Sequence, residues 1–274
     1  MKKTWMLSKT VVAIYGICAF VPVAHSQQTN IDYTHKQQND IQQLFNQAHI
    51  QGVLVIDNKN VIQTFGNALQ RAQTYYVPAS TFKMVNALIG LENNIATPNE
   101  IFKWDGKKHM LSSWEKDMTL GEATRLSAVP VYQALARRTG LSLMQKEIKR
   151  IHYGNETIGN QVDKFWLVGP LKITPVQEAQ FAYQFAYQQL PFKKQVQNDV
   201  QQMLFITQKN GNKIYAKSGL GVNKNPRIGW LTGWVEKPNG DKIAFSLNLE
   251  MKPNLSLSLR NDLTYKSLKI LNIL

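Results

Sequence analysis

Between Thr81 and Leu91 almost every residue is apolar. Phe82, Met84, Val85, Ala87, Leu88, Ile89 and Leu91 would leave a helix in this stretch with almost no polar face. Such a helix has to be buried, so the rest of the chain must surround it. A length of 274 residues and a hydrophobic fraction of 43% permit that, either as one large domain or as two interleaved lobes, and they argue against disorder.

The flanking patterns say what surrounds it. Residues 36–50 carry helical spacing through Ile41, Leu44, Phe45 and Ala48. Residues 52–57 and 61–65 read as the strands of a hairpin joined through Asn58-Lys-Asn60. Further strands are expected at 213–217, 228–235 and 242–250, the last two linked by Pro238-Asn-Gly240, and a final helix over about 257–271. From Ser80 to about Gln208 the pattern is mostly helical, with segments near 120–123, 129–139, 143–151 and 175–188. No repeat, low-complexity tract or Gly/Ser linker divides the chain. The expected class is therefore α+β: an antiparallel sheet made from both chain ends, with a helical lobe inserted at about 80–208. The junction of sheet and lobe creates a cleft, where ligands tend to bind.

The first 26 residues read as a cleaved secretory signal: Lys2, Lys3 and Lys9 precede an apolar run over 11–23 that ends in Ala24-His-Ser26. Residues 27–274 are then a single mature catalytic domain, located in the periplasm, with no integral membrane segment left after cleavage. Cys18, the only cysteine, lies within the signal, so the mature chain has no thiol for a disulfide, a metal or covalent catalysis. Any nucleophile must be an oxygen or a nitrogen. Tyr15 and Ile17 are bulky where a lipidated cysteine wants aliphatic and small neighbours, which argues against an anchor at Cys18. The formal charge is +14, of which the three signal lysines carry three, leaving +11. The lysines of the mature chain, as at 107–108, 146–149, 193–194 and 266–269, are scattered, without the basic run or aromatic platform of a nucleic-acid binder. They favour small anionic substrates and anionic envelope surfaces instead.

Three short segments carry chemistry. In Ser80-Thr-Phe-Lys83 the serine would sit at the start of the apolar helix, where unpaired N–H groups and the positive dipole end can stabilise an oxyanion; Lys83 lies one turn on, beside the hydroxyl. Alone, the pair reads as an N-capping serine and a snorkelling lysine. Burial changes that reading: a lysine desolvated without an acidic partner loses its proton more easily and becomes basic. Ser113-Trp-Glu-Lys116 has the same spacing without the apolar helix. Ser127-Ala-Val129 stands before Pro130 and a helical stretch, where Ser127 is a helix cap or a proton relay into the cleft. Lys217-Ser-Gly219 ends a strand, and a lysine, a hydroxyl and a glycine that permits close approach can receive a carboxylate. Arg260 lies in the first turn of the last helix, unfavourable for the dipole, and is either a solvated cation or a second clamp on that carboxylate. Together these supply a nucleophile, a base, a relay and an anion site for acyl transfer. His35, His49, His109 and His152 lack ligand spacing, and no metal is expected.

Over about 38–274 the chain resembles the class D (oxacillinase-type) serine β-lactamases. Ser80-Thr-Phe-Lys83, Ser127-Ala-Val129, Tyr153-Gly-Asn155, Trp166 and Lys217-Ser-Gly219 occur in that family's order, and Asp163-Lys-Phe-Trp166 to Pro170 resembles its omega-loop region. Residues 87–93 and 114–122 look like the branch that includes carbapenem-hydrolysing members. The resemblance implies the α/β/α sandwich shared with penicillin-binding proteins, a small-molecule β-lactam as partner, and resistance to β-lactams as the outcome. It also implies that Lys83 reacts with carbon dioxide to form a carbamate (N6-carboxylysine) that serves as general base, with the indole N–H of Trp166 as its donor and no other cofactor. Ser80 would attack the lactam carbonyl, and its own N–H and that of Leu220 would form the oxyanion hole. Ser127 would relay a proton, Lys217, Ser218 and Arg260 would hold the substrate carboxylate beside Gly219, and Val129 and Leu167 would gate water. Leu220 stands where close relatives usually carry an aromatic. Leu111 and Val222 occupy positions where some carbapenem-hydrolysing relatives bridge the cleft with an aromatic and a methionine. Penicillin and oxacillin hydrolysis is therefore expected, and carbapenem hydrolysis only slowly. The competing readings are a D,D-peptidase or penicillin-binding enzyme and a β-lactam sensor domain.

Overall fold

The computed structural model describes Met1 and residues 33–222, 226–252 and 255–274. The expected signal segment beyond Met1, with Cys18, lies outside the described residues. The chain enters through α1 (His35–Gln47), whose first turn is closed by a reciprocal pair of hydrogen bonds between Thr34 and Gln37. The hairpin of β1 (Gly52–Asn58) and β2 (Val61–Gly66) follows. Lys59 and Asn60 take left-handed conformations at its tip, and Asn60 N–H donates to Asp57 Oδ1 at 3.0 Å. Next come α2 (Lys83–Glu92), α3 (Leu120–Leu126), α4 (Val129–Thr139), α5 (Leu141–Arg150), the short α6 (Phe165–Val168), α7 (Pro175–Ala186) and α8 (Lys194–Met203). The chain then returns to the sheet through β3 (Phe205–Lys209), β4 (Asn212–Gly221), β5 (Arg227–Glu236) and β6 (Lys242–Met251), and closes with α9 (Leu259–Ile270).

The six strands form one antiparallel sheet in the order β2-β1-β6-β5-β4-β3. Alternation along the strands sorts their side chains between two layers. Leu54, Ile56, Leu231, Val235, Phe245, Leu247 and Leu249 pack with Ile41 and Phe45 of α1 and Leu263 and Leu268 of α9. On the other face Val53 and Val55 meet Ala179 of α7, and the Trp234 ring meets Phe185 at 5.5 Å. The protein is thus an α+β helix–sheet–helix sandwich.

Every residue of α2 from Lys83 to Leu91 is buried, as the absence of a polar face requires. Three features depart from the sequence expectations. First, α7 lies within the inserted helical stretch yet one side of it covers the sheet, while its Phe181 ring meets Tyr153 of the lobe at 5.2 Å. Second, α8 and β3 were not anticipated: Val196, Val200 and Met203 are the only apolar residues of α8, spaced along one face of an otherwise polar helix, and every residue of β3 is exposed. Third, Lys217-Ser-Gly219 does not end its strand: β4 continues to Gly221, because pairing with β5 persists through Gly221 opposite Ile228. Pairing with β3 stops at Tyr215 opposite Phe205. The stretch of β4 beyond it therefore presents a sheet edge to the segment that carries Ser80.

Candidate active site

Ser80 sits in a 3₁₀ turn, Ala79–Phe82, and the α-helix starts only at Lys83. It is not an N-cap. Ala79, just before it, is left-handed with φ 52°. The turn packs against β4, and a Cβ on Gly219 would stand 3.1 Å from Pro78 O and 3.2 Å from Trp230 Cβ. A larger residue at 219 would push the turn away, which is the physical reason for glycine here. On the far side, α6 packs against the same turn, and the Trp166 ring stacks on Phe82 with centroids 5.3 Å apart.

These contacts bring Lys83 Nζ within 2.7 Å of Ser80 Oγ. Lys83 is 1% exposed and lies 5.5 Å from the ring centre of Tyr132. Burial, followed by the positive charge of Lys217, holds its amine well below the usual lysine range. Lys217 donates to Ser127 Oγ at 3.0 Å and to Ser218 O at 2.9 Å. Its pKa falls to about 7, again first through burial and then through Arg260. Arg260 donates to Gly219 O at 2.6 Å and through Nε to Leu257 O at 3.0 Å, and burial lowers its pKa too. Those two carbonyls offset its unfavourable place in the first turn of α9. Its side chain crosses β5 at Gly229, where a Cβ would come within 3.3 Å of Arg260 Cδ.

Ser127 is a helix cap only at the C-terminal end of α3, with φ 54° and ψ 35°; Ala128 precedes α4, and Ser127 caps nothing there with its side chain. Its hydroxyl is turned to Lys217 instead. Trp166 is fully buried, and its indole Nε1 has no hydrogen-bond partner among the described residues. Such a donor normally finds an acceptor, and here one is missing. Val129 and Leu167 are half-buried against the helical core, Leu220 packs against the core of the opposite layer, and Ser218 is half-buried. Leu111 and Val222 are 47% and 50% exposed.

Ser80 with Lys83 and Ser127 with Lys217 thus form two hydrogen-bonded pairs, and charge links them, since Lys217 lowers the pKa of Lys83 and Arg260 that of Lys217. The other Ser-x-x-Lys match does not join them: Ser113 is exposed, and Lys116 pairs with Glu122 at 2.5 Å. Among the described residues no group of His, Cys, Asp and Glu could hold a metal ion, and no helix is long and apolar enough to cross a membrane.

One buried acid escaped the sequence reading. Glu178 of α7 accepts from Tyr153 Oη at 2.9 Å and lies 2.5 Å from Thr81 Oγ1. A lone acid in the apolar row of Ala179, Phe181, Ala182 and Phe185 was the available signal. Asn155, beside Tyr153, accepts from Lys172 N–H at 2.9 Å and donates to Pro170 O at 3.1 Å, tying down the end of the loop that carries Trp166.

A penicillin-binding-protein transpeptidase domain model matches residues 26–269. Beta-lactamase OXA-10 of Pseudomonas aeruginosa is 37% identical over 226 residues, 81% of this chain and 85% of its own length. Beta-lactamase OXA-48 of Klebsiella pneumoniae is 37% identical over 82% of this chain and 85% of its own. The crystal structure of FUS-1 (OXA-85), a class D β-lactamase from Fusobacterium nucleatum subsp. polymorphum, superposes with a TM-score of 0.82 at 33% identity, covering 86% of this chain and 98% of that one. The transpeptidase-like fold and the serine–lysine site define a penicillin-recognising acyl-transfer protein. Within that class, the chain belongs to the class D serine β-lactamases.

Proposed function

We propose that this enzyme hydrolyses penicillins and oxacillin-type β-lactams through an acyl-enzyme on Ser80, with Lys83 as the base in both half-reactions. The single observation that carries the reading is the buried Lys83 amine 2.7 Å from Ser80 Oγ, in surroundings that disfavour its charge. An uncharged amine is what reaction with carbon dioxide requires, and Trp166 Nε1, without a partner among the described residues, fits a donor waiting for an oxygen of the product. When present, that carbamate supplies a carboxylate base in place of an amine.

Ser80 attacks the lactam carbonyl, and the amides of Ser80 and Leu220 receive the developing oxyanion at the exposed edge of β4. Ser127 passes a proton to the departing ring nitrogen, and the Lys217 contact at 3.0 Å supports that role. Lys217, Ser218 and Arg260 beside Gly219 form the carboxylate site, two cations whose fields favour an anion. Val129 and Leu167 control water near Lys83. Leu111 and Val222 stand at the rim, too exposed to close the cleft firmly, so carbapenems turn over slowly. Secretion to the periplasm through residues 1–26 places the enzyme where β-lactams meet their targets, and its activity gives resistance.

Steady-state hydrolysis of penicillin, oxacillin and imipenem, with and without added bicarbonate, tests this. Rapid turnover of the first two, a fall on stripping carbon dioxide, recovery with bicarbonate and slow imipenem turnover are expected. Fast imipenem turnover at saturation would refute the open-rim argument, and indifference to bicarbonate would remove the carbamate. The matched domain model favours one rival, a D,D-peptidase that stays acylated. A penicilloyl adduct lasting hours in the mass spectrum would support that rival.

Arg260→Ala is expected to raise KM for penicillins about tenfold to a hundredfold, the worth of a charge-assisted hydrogen bond, with a smaller change in kcat. A KM unchanged within error would take Arg260 out of the carboxylate site.

A further inference from the structure

We propose that Glu178, acting through Thr81 and Tyr153, is a positioning residue for the acylation step: a buried carboxyl that holds the turn carrying Ser80 in shape. The inference rests on Ser80 being the nucleophile. Ala79 is held left-handed immediately before Ser80, a conformation that a residue with a side chain adopts only where its surroundings enforce it. The enforcing contacts converge on Thr81. Its N–H donates to Pro78 O at 3.3 Å, and its hydroxyl oxygen lies 2.9 Å from Pro78 O and 2.5 Å from Glu178 Oε1. Tyr153 donates to the same Glu178 oxygen at 2.9 Å, and its ring lies 5.8 Å from Phe82, the last residue of the turn.

Counting protons explains why an acid stands there. Thr81 has one hydroxyl proton and two oxygens within reach of it. A protonated Glu178 supplies its own proton to Thr81, which frees the Thr81 proton for Pro78 O and closes the bond back onto the turn. Glu178 has no exposed surface, and its Oε2 has no partner among the described residues. An ionised carboxylate would leave charge on that bare oxygen, whereas a neutral acid leaves only a carbonyl oxygen. Burial pushes the Glu178 carboxyl up to about 7, in keeping with the neutral form, and no cation figures among the groups that shift it. Glu178 touches neither Ser80 nor Lys83 through any of these hydrogen bonds. It acts on them by geometry.

The test compares Glu178→Gln, Glu178→Met and Thr81→Val by single-turnover acylation with a penicillin, alongside melting temperature. Glutamine keeps a donor and an acceptor and is expected to acylate within about threefold of the parent. Methionine fills the space without hydrogen bonds, and valine removes the hydroxyl at the other end. Both are expected to slow acylation about tenfold to a hundredfold, with little change in the concentration dependence, because small misplacements of a nucleophile are that costly. Parent-like acylation by folded Glu178→Met or Thr81→Val, whatever their melting temperatures, overturns the proposal. So does a Glu178→Gln variant as slow as Glu178→Met. Should Glu178→Met fail to fold, the other two variants decide. Peptide mapping of the parent's penicilloyl adduct is the separate control: an adduct absent from Ser80 defeats the nucleophile assignment itself, while an adduct on Ser80 with unaffected variants defeats only the role of Glu178.

Discussion

Lys83→Met is expected to lower kcat/KM for penicillins by about a thousandfold or more, since it removes the base that both half-reactions share. Methionine fits the long apolar slot that Lys83 occupies, so the loss would be chemical rather than a collapse of packing. The same substitution is expected to make the protein more stable, and the sign follows from the pKa. The folded-state value of Lys83 lies well below the ordinary lysine value, because burial and then Lys217 disfavour its charge. Between the two values the unfolded chain binds the proton that the folded chain refuses. Stability is therefore lost as pH falls from the ordinary lysine value to the folded one, and methionine has no such window. Denaturant unfolding of both proteins from about pH 9 to about pH 6 should show the advantage of the variant widening toward the acid side. Equal stability across that range would mean that the amine is solvated, and a variant that still hydrolyses penicillin would leave Ser80 without Lys83 as its base.

The second large effect concerns Trp166. Its ring stacks on Phe82 and meets Phe165 edge-on at 5.0 Å, so a full truncation would disturb the turn that holds Ser80. Trp166→Phe keeps an aromatic in that stack and deletes the side chain's one polar atom, the buried Nε1 that lacks a partner among the described residues. If that N–H holds the modified Lys83, its loss is expected to slow deacylation about a hundredfold to a thousandfold, by analogy with the removal of one fixed donor from a desolvated site. The penicilloyl adduct should then accumulate in the mass spectrum, and raised bicarbonate should restore part of the rate by mass action. Normal deacylation in Trp166→Phe would exclude the indole from the reaction. A rate lost but indifferent to bicarbonate would assign Trp166 to packing alone.

Legibility in the sequence differed from element to element for physical reasons. The burial of α2 could be read directly, because a helix without a polar face has one solution. The hairpin was legible through its asparagine tip between two short runs rich in β-branched residues, and the antiparallel β5–β6 pair through Pro238-Asn-Gly240. The exposed β3 offered no alternation, since neither of its faces meets a core. Gln197 and Gln201, which are buried in α8 and donate to the carbonyls of Leu190, Phe192, Phe185 and Ala186, hid that helix behind a polar composition.

The residue types of the site were legible for a simpler reason. A hydroxyl, a lysine one turn away and an apolar helix around them are local facts, as are a lysine and a glycine in a strand. Chain order alone therefore determined which side chains this protein has available for chemistry, and that the Lys83 amine must sit in apolar surroundings. Distances between segments far apart in the chain are a different matter. That Lys217 reaches Ser127 across 90 positions, that Arg260 crosses β5 to Gly219, and that β3 stops short to leave an edge for the Ser80 turn depend on packing between layers. Glu178 makes the point most sharply. An acid on an apolar helix face has no assigned partner until the fold places Thr81 and Tyr153 beside it, because hydrogen bonds act over about 3 Å and local sequence does not encode which remote group arrives there.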